Sequence, residues 1–112
     1  MQLRLQRELI DELNRRRADR GLPTVTNDPS LAAAAAECAE KSLRQGRLEH
    51  CGHEVLYMGG NPQPSASAIL DAWFASPGHL RALTYATSTA AGGAVVTIDG
   101  HGGASAAINI NY

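Results

Sequence analysis

Leu5, Leu9, Ile10 and Leu13 recur at helical spacing and make one apolar stripe, which predicts a first helix over residues 2–19. Gly21-Leu22-Pro23 stops it, and a turn follows. Asp28 with Pro29 behind it is a helix start. The carboxylate can accept from the first free amides, and proline loses nothing at the first helical position. Leu31, Ala35, Cys38, Ala39, Ser42 and Leu43 form the stripe of this second helix, which ends at Gly46. Those side chains are small, so the helix can approach its neighbour closely. Residues 48–60 read as loop, or as loop leading into a short strand through Val55, Leu56, Tyr57 and Met58. Asn61-Pro62-Gln63-Pro64 is a breaker. Ser65 caps a third helix whose Ile69, Leu70, Trp73 and Phe74 face the core, where the Trp73 indole N–H needs a partner. Ser76-Pro77 starts a short fourth helix that ends near Leu83. Residues 94–98 and 104–110 read as two strands, with Asp99-Gly100-His101-Gly102-Gly103 as the hairpin turn between them.

Helices come first and a hairpin last, so the expected class is α+β. Both strands carry apolar residues on both faces (Val95 and Val96; Ala107 and Ile108), which calls for helices on either side. The expected architecture is an α-β-α sandwich with a small antiparallel sheet between helices. At 112 residues the chain is read as a single domain spanning 1–112, with one modest core and no internal repeats.

The net charge of −1 and pI of about 6.4 give no basic surface for nucleic acid or anionic lipid. Arg4, Arg7, Arg15, Arg16, Arg17 and Arg20 fall on the first helix, where they read as a solvated face. Asp11→Arg15 and Glu12→Arg16 are i,i+4 pairs that support it. No apolar run is long enough to span a membrane. Met1 leads almost at once into an amphipathic helix, so no signal peptide is visible. The chain is then either cytoplasmic or exported with its leader removed. Cys38 and Cys51 are the two cysteines. They form a disulfide in an oxidising compartment, or they are two reduced thiols, one of them a buried small apolar group.

The start at Ser76-Pro77 places His79 in the first turn of a helix. The positive helix end biases an imidazole there toward its neutral form, which binds metals or takes a proton. His50 and Glu54 lie four residues apart with His53 between them. A carboxylate and imidazoles in so short a stretch can reach one ion, zinc among others, and His79 would complete an open three-ligand site. On spacing alone there is no HExxH or CxxC pattern, and a structural or surface role for each histidine is the simpler reading. Ser65, Ser67 and Ser76 read as helix-start residues rather than nucleophiles, with no G-x-S-x-G turn present. Cys51 beside His50 reads as a disulfide partner or inert thiol before a Cys–His pair. His101 reads as exposed and idle, Asp71 as a solvated helix residue and Asp99 as a turn residue.

The run Ala72-Trp73-Phe74-Ala75-Ser76-Pro77-Gly78-His79-Leu80-Arg81 resembles the W-x-x-SPGHR signature of bacterial CAP-superfamily (SCP-type) domains. Other pieces agree in order. Leu13-Asn14-Arg15 with Arg17 and Gly21-Leu22-Pro23 resembles the family's first helix and its exit. Asn27-Asp28-Pro29-Ser30-Leu31 resembles the start of its second. Leu48-Glu49-His50 stands at its first histidine, and Gly52-His53-Glu54-Val55-Leu56-Tyr57-Met58-Gly59 at its GENIA-x-G. Gly92-Gly93-Ala94-Val95-Val96 resembles its G-V-G strand. The resemblance implies an α-β-α sandwich, export, and a central cleft lined by His50, Glu54 and His79 that can hold a divalent cation, zinc best of all. It also implies a small apolar ligand or a partner protein elsewhere on the surface. This sequence departs from the pattern at Val55, which replaces the Asn of GEN, and in lacking the second Glu that eukaryotic members place before the second His. The span from His50 to Glu54 is shortened, and His53 is the residue that can stand in for a missing ligand. Three functions follow as expectations. The leading one is a secreted binding domain. The others are a hydrolase with Glu54 as base and His79 as ligand or acid, and a structural module without a ligand.

Overall fold

Asp28 begins the second helix with an extended backbone, and its carboxylate accepts from Ser30 N at 2.8 Å, Ser30 Oγ at 2.7 Å and Leu31 N at 3.3 Å. That satisfies amides which have no partner within the helix. Gly46 ends the same helix in the left-handed region at φ 70°, where its N–H closes on Leu43 O. Each end is fixed by a residue whose chemistry suits it. Ser65 behaves likewise at the third helix, accepting from Ala68 N at 3.0 Å.

The structure, a computed structural model, describes residues 3–48, 51, 54–97 and 102–111. Four helices and four strands run in the order α1 (Leu3–Asp19), β1 (Thr26–Asn27), α2 (Pro29–Gln45), β2 (Glu54–Gly59), α3 (Ala66–Phe74), α4 (Pro77–Leu83), β3 (Ala90–Val96) and β4 (Ala104–Ile110). The strand order is β1-β3-β4-β2. β3–β4 and β4–β2 are antiparallel, and β1 adds to β3 in parallel.

Two points differ from the expected hairpin. β3 begins at Ala90, not at 94: Ala90, Ala91, Gly92 and Gly93 carry strand geometry too, in line with the strand that the resemblance placed from Gly92. The turn after Asn14 and Arg17 includes β1, a two-residue strand too short to leave a period, so the sheet is mixed rather than purely antiparallel. Ile98 and most of the predicted hairpin turn, with His101, lie outside the described residues.

The sheet is buried on both faces. Leu9, Ile10, Leu13, Ile69, Leu70, Trp73 and Leu83 cover one face, with Val55, Val95, Ile108 and Ile110 from the strands. On the other, Ala35, Cys38 and Ala39 of α2 meet Leu56, Ala94, Val96 and Ala107. The residues on this second face are mostly methyl-sized, and α2 comes very close. A Cβ on Gly92 would overlap the Ala32 backbone, whereas a Cβ on the next residue, Gly93, would meet side chains alone: Leu9 Cδ1 at 3.3 Å, and Leu9 Cβ and Ile108 Cγ1 at 3.5 Å. Adjacent glycines thus point at opposite layers with very different clearance.

The first-helix arginines are not all solvated. Arg17 is 0% exposed, and its guanidinium donates to Pro23 O at 2.9 Å, Leu83 O at 3.0 Å and Tyr85 O at 3.0 Å. Burial pushes its pKa below the ordinary arginine value, yet a guanidinium stays charged in a protein. Three carbonyl dipoles take the place of a counter-ion. Arg16 fastens α1 to α3 through Asp71 at 2.7 Å and also bonds Glu12 at 2.9 Å, so Asp71 is solvated, as expected, and an ion-pair partner as well. Arg16 and Arg20 lie over the Phe74 ring, 5.2 and 5.4 Å from its centroid.

The two glycines separate in a substitution experiment. Gly92→Ala forces α2 off the strand and costs about 2–3 kcal/mol in urea unfolding, while Gly93→Ala stays within about 1 kcal/mol of wild type. A reversed order would contradict the close approach of α2. A second test concerns pH. Hydrogen bonds from the Ser30 hydroxyl, the Leu31 amide and the Ser30 amide hold the Asp28 carboxyl below its ordinary value. A depressed native pKa adds stability above the unfolded value, and that stability is lost as pH falls through the native one. Wild type should therefore melt above Asp28→Asn at pH 7, with the gap closing as pH falls below about 4, the ordinary aspartate value. A gap that does not change with pH would remove the carboxylate from the cap.

Candidate functional site

Glu54 is the first residue of β2 and is 6% exposed. Its Oε1 accepts the Cys51 amide at 2.6 Å. Cys51 is bonded to Cys38 of α2, with Cα atoms 5.9 Å apart, which settles the cysteines as a disulfide. The bridge closes the connection between α2 and β2 onto the helix, and the Glu54 carboxylate closes it a second time from the strand side. Cys38 Sγ, Cys51 Sγ and a Glu54 oxygen lie within 4.8 Å of one another. The two sulfurs are spent on each other, so this group offers a cation one carboxylate and no thiolate.

His79 is the third residue of α4 and is half-buried. Ser76 stands before the helix with extended backbone, and Pro77 holds the first helical position as the sequence suggests. The Ser76 side chain makes no capping hydrogen bond; its carbonyl accepts Leu80 N at 2.9 Å and starts the helix without it. α4 is placed from its far end, where Arg17 holds the carbonyls of Leu83 and Tyr85. Asn14, one turn earlier on α1, bonds Val25 both ways, donating to its carbonyl at 2.9 Å and accepting its amide at 2.8 Å. Asn14 and Arg17 both fall in the stretch that resembles the family's first helix, but that resemblance gives neither a bonding role. Arg17 does carry a signal: it follows Leu9 and Leu13 at i+4 spacing and so extends the buried stripe.

Trp73 joins the two halves of the candidate site. Its indole N–H donates to Leu56 O at 2.9 Å in the interior. β2, which Glu54 begins, is thereby tied to α3, which leads directly into α4 and His79. Glu54 and His79 thus sit on elements with a fixed relation. Among the described residues, the group of metal-capable donors around Glu54 is the disulfide pair and does not include His79. His50 and His53 lie outside the described residues. No helix among the described residues is long and apolar enough to cross a membrane.

A family model for the cysteine-rich secretory protein (CAP) family matches residues 10–109. The fold is similar to that of an outer surface protein from Borrelia burgdorferi, at 19% identity and a TM-score of 0.75 over 92% of this chain and 89% of that one. It is also similar to the hookworm platelet inhibitor, at 18% identity and a TM-score of 0.69 over 95% of this chain and 68% of that one. A third similar structure is a cysteine-rich secretory protein from Staphylococcus aureus, at 15% identity and a TM-score of 0.68. This chain covers 38% of that protein and is itself covered over 97% of its length. No curated protein sequence matches significantly. At these identities the structural likeness shows the fold alone. With the family model spanning nearly the whole chain, the chain belongs to the CAP family.

Proposed function

We propose that this chain is a secreted binding domain of bacterial origin whose cleft, lined by His50, Glu54 and His79, holds a divalent cation. The donor set, imidazole nitrogen and carboxylate oxygen with one position left open, suits zinc. The observation that carries this reading is the setting of Glu54. A carboxylate 6% exposed is held at a strand end by a 2.6 Å bond from the Cys51 amide. Metal-ligating carboxylates are fixed in this way by outer hydrogen bonds, which orient them before the ion arrives. The Cys38–Cys51 bridge fits an oxidising location outside the cytoplasm. Zinc, when bound, would supply a fixed positive charge and an open coordination position for a ligand group. Glu54 and His79 would hold the ion, and the Cys38–Cys51 bridge anchors the residue whose amide bonds the Glu54 carboxylate. His53 is the donor that replaces His50 if the shortened span moves the first histidine away. A small apolar ligand or a partner protein is the expected cargo of the surrounding surface.

Binding ranks above hydrolysis. Among the described residues the chemistry-bearing group beside Glu54 is a disulfide, whose sulfurs have no proton to exchange with a base. The test is calorimetric titration of zinc into oxidised wild type, His79→Ala and Glu54→Gln. Saturable binding by wild type that weakens on the order of a hundredfold in both variants is the expected result. No binding by wild type, or equal binding by all three, would refute the metal site.

A further inference from the structure

The two edges of the sheet are treated differently. Along an antiparallel strand each residue sends its N–H and C=O to the same side, alternating from one residue to the next. Leu56 lies on the outer side of β2, and there its carbonyl is taken by the Trp73 indole. On the opposite edge, Ala90 O accepts Asn111 N from the β4 side, and Ala91 O accepts Asp28 N from the β1 side. Gly92 and Ala94 therefore turn toward β4, and Gly93 and Val95 turn toward the β1 edge. β1 pairs only with Ala90 and Ala91 and ends at Asn27. Among the described residues no strand continues it past that point.

A groove of about 300 Å³ lies at this place. Asn27 and Gly93 form its floor, Gln6 and Arg7 of α1 one wall, and Ala32 and Ala33 of α2 the other. Gln6 Oε1 is buried here without a hydrogen-bond partner. A buried acceptor left unpaired is costly, and a donor from a ligand would relieve it. The floor offers a donor and an acceptor on one strand edge, the wall offers a second acceptor, and the opposite wall is methyl-lined. Arg7 adds positive charge at the wall that bears Gln6.

We propose that the open edge of β3 at Gly93 takes up the backbone of an extended peptide, which continues the sheet where β1 stops. Strand addition supplies affinity through main-chain hydrogen bonds and specificity through alternate side chains. The walls fix that alternation. Residues turned toward Ala32 and Ala33 are small and apolar, and residues turned toward Gln6 and Arg7 carry a side-chain amide, whose N–H₂ donates to Gln6 Oε1 and whose carbonyl accepts from Arg7. β1 already uses the same edge at Ala90 and Ala91, so the groove extends a pairing the chain itself makes. The site shares no residue with the cleft of His50, Glu54 and His79 and stands independently of the metal reading.

The test uses a capped five-residue peptide of alternating valine and glutamine, titrated into the full chain and followed by amide NMR. Saturable shifts at Asn27, Ala32, Ala33 and Gly93 are expected, with slowed hydrogen exchange at the Gly93 amide. Two further peptides carry N-methyl groups on the valine backbone amides or on the glutamine backbone amides. Only one of those sets faces Gly93, so one peptide should bind at least about tenfold more weakly than the other. Ala33→Trp, at an exposed helical position, fills the groove and should abolish binding without lowering the melting temperature. The proposal is overturned by no saturable shift at about 1 mM peptide, by equal affinity for the two methylated peptides, or by full binding to Ala33→Trp. Protection of the Gly93 amide that grows with protein concentration alone would give the edge to a second copy, and would overturn it too.

Discussion

At Gly92 the backbone of β3 meets the backbone of α2 with no side chain between them. Every other placement on that face follows from this approach. Ala35, Ala39, Ala94 and Ala107 are the sizes that permit it, and their contribution is close van der Waals contact rather than large apolar area. Setting the height of α2 above the sheet also sets the height of Cys38. Cys38 in turn fixes where Cys51 can sit, and the Cys51 amide fixes the Glu54 carboxylate. A seam of methyl groups thus positions a charged group at the strand end some distance away. The opposite face works differently. There Trp73, Leu9, Leu13 and Ile69 fill volume, and the helices stand further off.

Polar groups inside that bulkier layer fix orientation. Arg17 is surrounded by carbonyls from three places in the chain: the exit of α1, the end of α4 and the turn after it. A single planar cation with several donors can satisfy all of them together, which a smaller ammonium cannot. The cost of burying it is offset only when all three segments arrive, so the contact selects one arrangement of α1 and α4.

Much of this was legible in the sequence because the relevant physics is local. Asp28-Pro29, Gly46 and Ser65 act over a few residues, and the helices begin and end where they say. The helical stripes of Leu9, Leu13, Ile69 and Trp73 mark the core for the same reason. What was hidden depends on distant partners. β1 is too short to carry a period and exists only because Ala90 and Ala91 lie beside it. Gly92 has no side chain because the α2 backbone lies directly against it, so glycine there marks crowding, not a turn. Arg17 looked like one of several surface arginines because its carbonyl partners lie up to 68 residues away. Of the candidate site, the place of His79 in α4 followed from Ser76-Pro77, the pattern around Glu54 fits only a loop or a loop leading into a short strand, and the disulfide was one of two open outcomes. How the histidines of the Cys51 loop approach Glu54 depends on loop conformation, which sequence spacing does not determine.

Trp73 has a consequence beyond filling the core. Its indole occupies an outward-facing carbonyl in the middle of β2, the edge strand farthest from β1. Unpaired edges recruit further strands, and chains that expose them assemble into fibrils. An aromatic ring anchored from within the same molecule blocks that recruitment at Leu56, and it does so with a group that cannot leave without emptying the interior. The block at this carbonyl is therefore tied to folding itself: as long as the core is closed, Leu56 O is closed to another strand.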